Sequence, residues 1–285
     1  MTEAEVINRS SSPITREQLV GDLQALGVSA GMTLLVHSSL SALGWVCGGP
    51  VAVIQALMDV VTPAGTLVMP THSADYSDPI TWGNPAVPAH WIPIIRASMP
   101  VFEPASTPSR GMGQIPEIFR TWPSVLRSAH PTVSFGAWGR HAATVTHDHA
   151  LAFGLGEASP LARIYTLDGS VLLLGAGFGS NTSFHLAEYR IPTTQQVKVG
   201  APILEDGQRV WRVFPDIGMD TEPFEAIGAA FHDSGAVQQR HVGLALARLF
   251  SQRAAVDFAQ QWLLGRATTV TGDPRVIEAR CQTML

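Results

Sequence analysis

Leu34-Leu-Val-His-Ser-Ser39 and Thr66-Leu-Val-Met-Pro-Thr-His-Ser73, separated by a helix-forming stretch from Gly49-Pro50 to Val61, decide the fold of this chain. Leu34 to His37 and Thr66 to Met69 are short apolar runs bounded by turn residues, the pattern of buried strands. Gly49-Pro50 is a suitable helix start, and Thr62-Pro-Ala-Gly65 closes the helix before the second strand. Two strands joined by a helix of this length form a βαβ unit, whose strands run parallel and end at the same edge of the sheet. His37, Ser38, Thr71, His72 and Asp75 therefore gather at that edge, where open α/β sheets place their ligands.

Upstream, Thr15-Arg-Glu-Gln18 has the form of a capping box, with Leu19, Leu23 and Leu26 along one helical face and Gly27 as the stop. Met1 to Ser12 is polar and serine-rich, so residues 1–14 are expected to be a flexible tail. Downstream, Asp75 to Gly113 is crowded with proline, glycine, serine and tryptophan and is too long for an ordinary connection. Trp82, Trp91 and Phe102 favour an ordered, packed loop. A helix is expected over Gly113 to Trp122, a β-like stretch over Thr132 to Trp138 and a helical one over Ala142 to Ala150. Val197 to Leu204 and Arg209 to Phe214, joined by Glu205-Asp-Gly207, have the pattern of a hairpin. Two helices, Glu222 to His232 and Val242 to Leu263, are expected to finish an α/β domain spanning residues 15–265, with a tail over residues 266–285.

With 285 residues, 46% of them hydrophobic, the chain can bury a substantial core. No apolar run is long enough for a membrane span, and Met1 to Pro13 lacks the zones of a signal peptide. Cys47 and Cys281 are far apart and without partners at metal-ligand spacing, which implies reduced thiols and a cytoplasmic location. The net charge of −5 argues against nucleic acid and is compatible with a cationic ligand.

The chemistry is expected around Leu172-Leu-Leu-Gly-Ala-Gly-Phe-Gly-Ser-Asn-Thr-Ser-Phe-His-Leu-Ala-Glu-Tyr189, an apolar segment followed by a glycine-rich turn and a helix start. Asn181, Thr182 and Ser183 can cap that helix. His185 then lies in the first turn, where the helix dipole favours the neutral imidazole that a general base requires, and Glu188 shares its face. Gly175, Gly177 and Gly179 are spaced G-x-G-x-G, without the acidic residue a dinucleotide fingerprint demands, so that reading is rejected. His141, His147 and His149 have no carboxylate or cysteine to complete a ligand set, and no metal is expected. Arg127 and His130 could contact phosphate or be held by the protein itself.

Seven motifs occur in order along the chain: Val36-His-Ser-Ser-Leu40, Leu67-Val-Met-Pro-Thr71, Arg127-Ser-Ala-His-Pro131, Ser159-Pro-Leu-Ala-Arg163, Leu167-Asp-Gly-Ser-Val-Leu-Leu-Leu-Gly175, Asn181-Thr-Ser-Phe-His-Leu-Ala-Glu188 and Val242-Gly-Leu-Ala245. Together, from about residue 15 to 265, they resemble the aminoglycoside 3-N-acetyltransferase family. The resemblance implies that family's α/β fold, a central mixed β-sheet flanked by helices, and transfer of an acetyl group from acetyl-coenzyme A to the 3-amino group of a 2-deoxystreptamine ring. It implies His185 as the base, oriented by an acidic residue after the hairpin, Asp216, with Glu188 the second choice. It also implies a coenzyme site at His37, Ser38, Ser39 and Leu40 and at Arg127, Ser128 and His130. Asp75, Glu157 and Glu188 would hold the ammonium groups of the drug, and the protein would act as a monomer or homodimer. The loop from Ser77 to Ser109 departs from the resistance enzymes, and the family also acylates other amines in biosynthesis.

In this scheme His185 deprotonates the amine and Asp216 stabilises the imidazolium. Thr71, Ser38 or the backbone N–H groups of residues 38–40 are candidates for the oxyanion donor. A hydrolase triad of Ser38, His185 and Asp216 is a rival, though no G-x-S-x-G elbow surrounds any serine. A non-catalytic ligand-binding protein is a second.

Overall fold

The structure is a computed structural model that describes residues 2–192 and 194–271, with side chains to residue 266. A seven-stranded mixed sheet runs through the molecule, its strands lying in the order Leu126–Arg127, Phe135–Gly139, Thr66–Pro70, Thr33–Ser38, Ser170–Leu174, Ala245–Ser251, Gln238–Val242. Its strands are β1 (Thr33–Ser38), β2 (Thr66–Pro70), β3 (Leu126–Arg127), β4 (Phe135–Gly139) and β5 (Ser170–Leu174), followed after a separate hairpin by β8 (Gln238–Val242) and β9 (Ala245–Ser251). The hairpin is β6 (Gln196–Glu205) and β7 (Gln208–Ile217). β1 pairs in parallel with β2 and β5, and the remaining pairings are antiparallel.

Alternate residues of the central strands feed two cores. Leu34, Val36, Leu67, Met69, Leu172 and Leu174 face helices α2 (Arg16–Leu26), α3 (Gly49–Val61) and α5 (Gln114–Phe119). Leu35, Val68, Val171 and Leu173 face the other side, where α6 (Ala142–Thr146), α7 (Pro160–Thr166), α8 (Ser183–Tyr189), α9 (Phe224–Asp233) and α10 (Gln252–Thr271) lie. Helices α1 (Glu3–Arg9) and α4 (Ile92–Ser98) sit outside these layers. The expected cap on α2 is present: Thr15 Oγ1 accepts from Gln18 N at 3.2 Å, and Gly27 ends the helix at φ 111°.

Three expectations change. Residues 1–14 are not a loose tail over their described length, because Thr2 and Glu5 close a capping box on α1. That helix is tied down by Trp45, whose Nε1 donates to Glu3 Oε1 at 3.2 Å and whose backbone N donates to Ser10 Oγ at 2.8 Å. Second, the first part of the expected helix from Val242 to Leu263 is the end of β8, a two-residue turn and β9, and helix begins only at Gln252. Ala245, Ala247 and Leu249 are buried while Leu246 and Arg248 are only half-buried, a period of two that lets β9 cover the edge of β5. Gly243, at φ 55°, makes the turn before it, where a Cβ would lie 2.7 Å from Leu43 O. Third, α10 runs through residue 266 to Thr271; the remainder of the expected tail, residues 272–285, lies outside the described residues.

The long segment from Asp75 to Gly113 is packed only in part: Phe102 is buried and Trp82 half-buried, but Trp91 is 50% exposed. Arg96 forms a bidentate pair with Asp78 and lies 5.9 Å over the Trp211 ring, while Arg209 Nε donates to Met99 O at 2.7 Å. The hairpin is thereby fastened to α4.

Candidate active site

The carboxyl ends of β1, β2 and β5 meet at one edge of the sheet. After β5 the turn is made by Gly175 at φ 70°, where a Cβ would lie 2.6 Å from that of Ala42. A short turn at Phe178–Ser180 then delivers α8. Asn181 Oδ1 accepts from Ser183 N at 3.2 Å, whereas Thr182 uses its hydroxyl to meet His37 Nε2 at 3.3 Å and forms no cap. Burial alone holds the His37 imidazole at about 3, so it is neutral over the working range.

His185 and Glu188 lie one turn apart on α8, and His185 Nδ1 is 2.5 Å from Glu188 Oε2. The other carboxylate oxygen, Glu188 Oε1, accepts from Asp220 N at 3.0 Å. Both side chains are buried, at 8% and 5% exposure, and the imidazole packs against the Phe224 ring at 4.8 Å between centroids, the two planes inclined by 60°. With Nδ1 engaged, Nε2 is the nitrogen left for chemistry. His185 lines a cavity of about 280 Å³ together with Ser38, Pro70, Gly111, Met112 and Thr221. A second cleft of about 690 Å³ adjoins it, lined by Ser38–Ser41, by Gly48–Pro50 at the start of α3 and by Glu3 and Val6 of α1. Ser38, Gly111 and Met112 line both.

Asp216 is not the partner of His185. Its Oδ1 accepts from the Tyr189 hydroxyl at 2.5 Å and from Ile217 N at 2.8 Å. Burial, reinforced by that carboxylate, pushes the Tyr189 phenol well above its usual range, so it remains the donor. The Tyr189–Asp216 pair therefore ties α8 to the end of the hairpin.

Arg127, Ser128 and His130 do not line either cavity. Arg127 donates to Thr71 O at 2.7 Å, Thr71 Oγ1 at 3.1 Å, Ser73 Oγ at 2.9 Å, Ser134 Oγ at 3.1 Å and the carbonyls of Pro104 and Thr107. It binds the 104–107 segment to β2, and burial lowers its guanidinium to about 10 without discharging it. Ser128 Oγ accepts from Phe135 N at 2.9 Å and meets His149 Nδ1 at 2.9 Å. His130 Nδ1 accepts from Thr132 N and Val133 N, and its ring stacks 4.8 Å from that of His149. A motif with the polarity of a phosphate site is thus consumed by the protein's own backbone.

Thr71 is fully buried beneath Arg127 and Ser134, so it cannot reach a substrate as oxyanion donor. Ser39 N donates to Leu174 O at 2.9 Å and is likewise spent. Asp75 and Glu157 are surface carboxylates in ion pairs, with Arg110 at 3.1 Å and Arg190 at 2.7 Å, and neither lines the cavity. Glu188 is enclosed by His185 and Asp220 N and has no face to offer a drug. Ser38, Ser39 and Leu40 line the longer cleft, and His37 and Ser38 the smaller cavity. The Gly111–Gly113 strap and α1 were missed: a glycine-flanked methionine and a polar tail carry no motif, and only their tertiary position makes them walls.

Residues 35–264 match the profile of the family described as aminoglycoside 3-N-acetyltransferase. This chain belongs to that family. Like its relatives it is an acyltransferase, with the mixed α/β fold of the aminoglycoside acetyltransferases. It is 51% identical over 261 residues to the SPbeta prophage-derived aminoglycoside N(3')-acetyltransferase-like protein YokD of Bacillus subtilis, covering 91% of this chain and 96% of that protein. It is 40% identical to aminoglycoside N(3)-acetyltransferase III of Pseudomonas aeruginosa, covering 89% and 95%. The crystal structure of YokD superimposes with a TM-score of 0.92 at 50% identity, over 93% of this chain and 98% of that one. AAC-IIIb in a binary complex with CoASH superimposes at 0.80 with 33% identity, over 90% and 98%. AAC-VIa bound to sisomicin gives 0.80 with 32% identity, over 90% and 99%. Among the described residues, no helix of this chain is long and apolar enough to cross a membrane.

Proposed function

We propose that this protein transfers the acetyl group of acetyl-coenzyme A to the 3-amino group of a 2-deoxystreptamine aminoglycoside, directly and within a ternary complex. The observation that carries the reading is His185, held from behind by Glu188, on the wall of a cavity joined to a longer cleft. The cleft takes the coenzyme, with the pantetheine arm passing Ser38–Ser41 toward the junction; the CoASH complex of AAC-IIIb supports that ligand. The cavity takes the amine, and the sisomicin complex of AAC-VIa supports an aminoglycoside.

Glu188 accepts a hydrogen bond from the Nδ1–H of His185, which keeps that proton on Nδ1 and leaves the Nε2 lone pair for the amine. Nε2 takes the amine proton as the nitrogen attacks the thioester carbon. The tetrahedral intermediate collapses with cleavage of the C–S bond, and the proton on His185 neutralises the departing thiolate. Stabilisation of the transient imidazolium by Glu188 replaces the role that the family resemblance suggested for Asp216. An acyl-enzyme on Ser38 is not supported, because its Oγ has no hydrogen-bond partner and so no base to activate it. The test is coenzyme A release from acetyl-coenzyme A with a panel of aminoglycosides and simple amines. Release with aminoglycosides is expected; release only with other amines would leave an acyltransferase with a different acceptor.

A further inference from the structure

The two cavities meet under a strap, Gly111-Met112-Gly113, whose ends are fixed and whose middle is not. On one side Ser109 N and Oγ donate to Glu117 Oε2 at 2.8 and 2.6 Å, and Arg110 N donates to His72 O at 2.8 Å. On the other, Gly113 O accepts from Glu117 N at 3.3 Å as α5 begins. Between these anchors the backbone passes through φ 75° at Gly111 and φ 88° at Gly113, conformations that glycine adopts without strain. No atom lies within 4 Å of where a Cβ would project from either glycine. Packing therefore does not require these glycines; the path of the backbone does. Among the described residues, the N–H groups of Gly111 and Met112 meet no protein acceptor.

The direction of transfer places the thioester at this point. The amine must sit beside His185 in the smaller cavity and the sulfur must lie in the longer cleft. The carbonyl between them then falls at the junction, whose walls are Ser38, Gly111 and Met112. Thr71 and Ser39 N are already spent on internal bonds, Ser38 Oγ is itself inaccessible, and Leu40 lines only the longer cleft and not the junction. We propose that the strap is the oxyanion site: the consecutive N–H groups of Gly111 and Met112 hold the thioester carbonyl oxygen and stabilise the negative charge it gains on attack. Successive backbone N–H groups around a left-handed residue form a concave donor pair of this kind, and losing one such donor costs about 10²- to 10³-fold in kcat. The inference rests on the acyl-transfer reading above.

The test replaces Met112 by its α-hydroxy analogue through nonsense suppression, which converts the N–H to an ester oxygen and keeps the side chain. The expected result is a fall in kcat of about 10²-fold or more, with the Kd for coenzyme A unchanged. Gly111→Ala, which has room for its methyl but disfavours the backbone path, should lower kcat in the same direction and leave coenzyme A affinity intact. A fall in kcat of less than about thirtyfold for the ester variant, below the range for one donor, or an equal loss of coenzyme A affinity, overturns the proposal. An infrared readout keeps the proposal separable from the acceptor assignment. The carbonyl stretch of bound [13C]acetyl-coenzyme A should move to lower frequency in the wild-type protein and recover in the ester variant. If that dependence holds while no aminoglycoside is turned over, the strap stands and the acceptor reading falls. A stretch unaffected by the ester, with normal turnover, removes the strap and leaves the function.

Discussion

Replacing Glu188 with Gln probes the arrangement most sharply, because it changes one atom in a buried side chain. Glu188 Oε2 lies 2.5 Å from His185 Nδ1 and Oε1 accepts from Asp220 N at 3.0 Å, so both carboxylate oxygens act only as acceptors. A glutamine can satisfy one of those donors with its carbonyl oxygen, but its NH2 must then face the other. If Asp220 N keeps the oxygen, the amide nitrogen donates to Nδ1 and the proton moves to Nε2, the nitrogen that must be empty to accept from the amine. If His185 keeps the oxygen, Asp220 N is left against an amide donor, a buried mismatch of about 1–3 kcal/mol. In either case the imidazolium loses its counter-charge. General-base function of this kind is worth about 10²- to 10⁴-fold, and a thousandfold fall in kcat corresponds to about 4 kcal/mol of barrier. The assay is thiol release followed with a chromogenic disulfide across acetyl-coenzyme A concentrations. The drop should appear in kcat, with KM for acetyl-coenzyme A within threefold of wild type, because Glu188 lines neither cavity. A variant retaining more than a third of wild-type kcat would refute the tautomer argument.

Arg127→Met should lower stability by about 2–4 kcal/mol, since it strands several buried acceptors, or roughly 3–8 °C in Tm for a domain of this size; calorimetry reads the loss, and coenzyme A affinity per folded molecule should be unchanged. Deleting residues 1–12 removes Glu3 and Val6 from the longer cleft, so KM for acetyl-coenzyme A should rise severalfold while kcat at saturation is kept. Stability should fall on mild acidification. Burial holds His37, His72 and His149 at about 3 and His130 at about 4, while their unfolded values lie near 6.5. Their contribution is therefore fully present above pH 6.5 and is lost as pH falls toward 4 and 3, at about 1.4 kcal/mol per pH unit for each imidazole. Urea titrations from pH 7.5 to 4.5 should show a falling midpoint below 6.5, and a flat profile would contradict the buried neutral histidines.

The parts of the sequence that could be read were those whose signal is local. The βαβ unit was legible because two apolar runs and the helix that starts at Gly49-Pro50 have distinct periods, and the hairpin because Glu205-Asp-Gly207 carries turn chemistry. His185 and Glu188 were legible as a pair because i and i+3 must share a helical face. β9 was misread since Ala245 to Phe250 is apolar enough for a buried helix, and only the open edge of β5 shows why it is strand. Arg127 and His130 were misread for the opposite reason. Their types suit a phosphate, but the carbonyls they satisfy come from segments up to 56 residues away, and no local pattern announces them. Asp216 lies within β7, paired with Val197, and not after the hairpin, and the 2.5 Å bond to Tyr189 takes it out of the reaction centre.

The central claim is that His185 is the base for acetyl transfer to one particular nitrogen. Incubating the protein with [13C]acetyl-coenzyme A and sisomicin, and locating the label by NMR, tests it directly when His185→Ala is run beside the wild type. The account predicts a single acetyl group on the 3-amino nitrogen with one coenzyme A released per drug, and no product from His185→Ala although that variant still binds coenzyme A. Acetylation at another nitrogen, or His185→Ala forming product at a rate within tenfold of wild type, would contradict it.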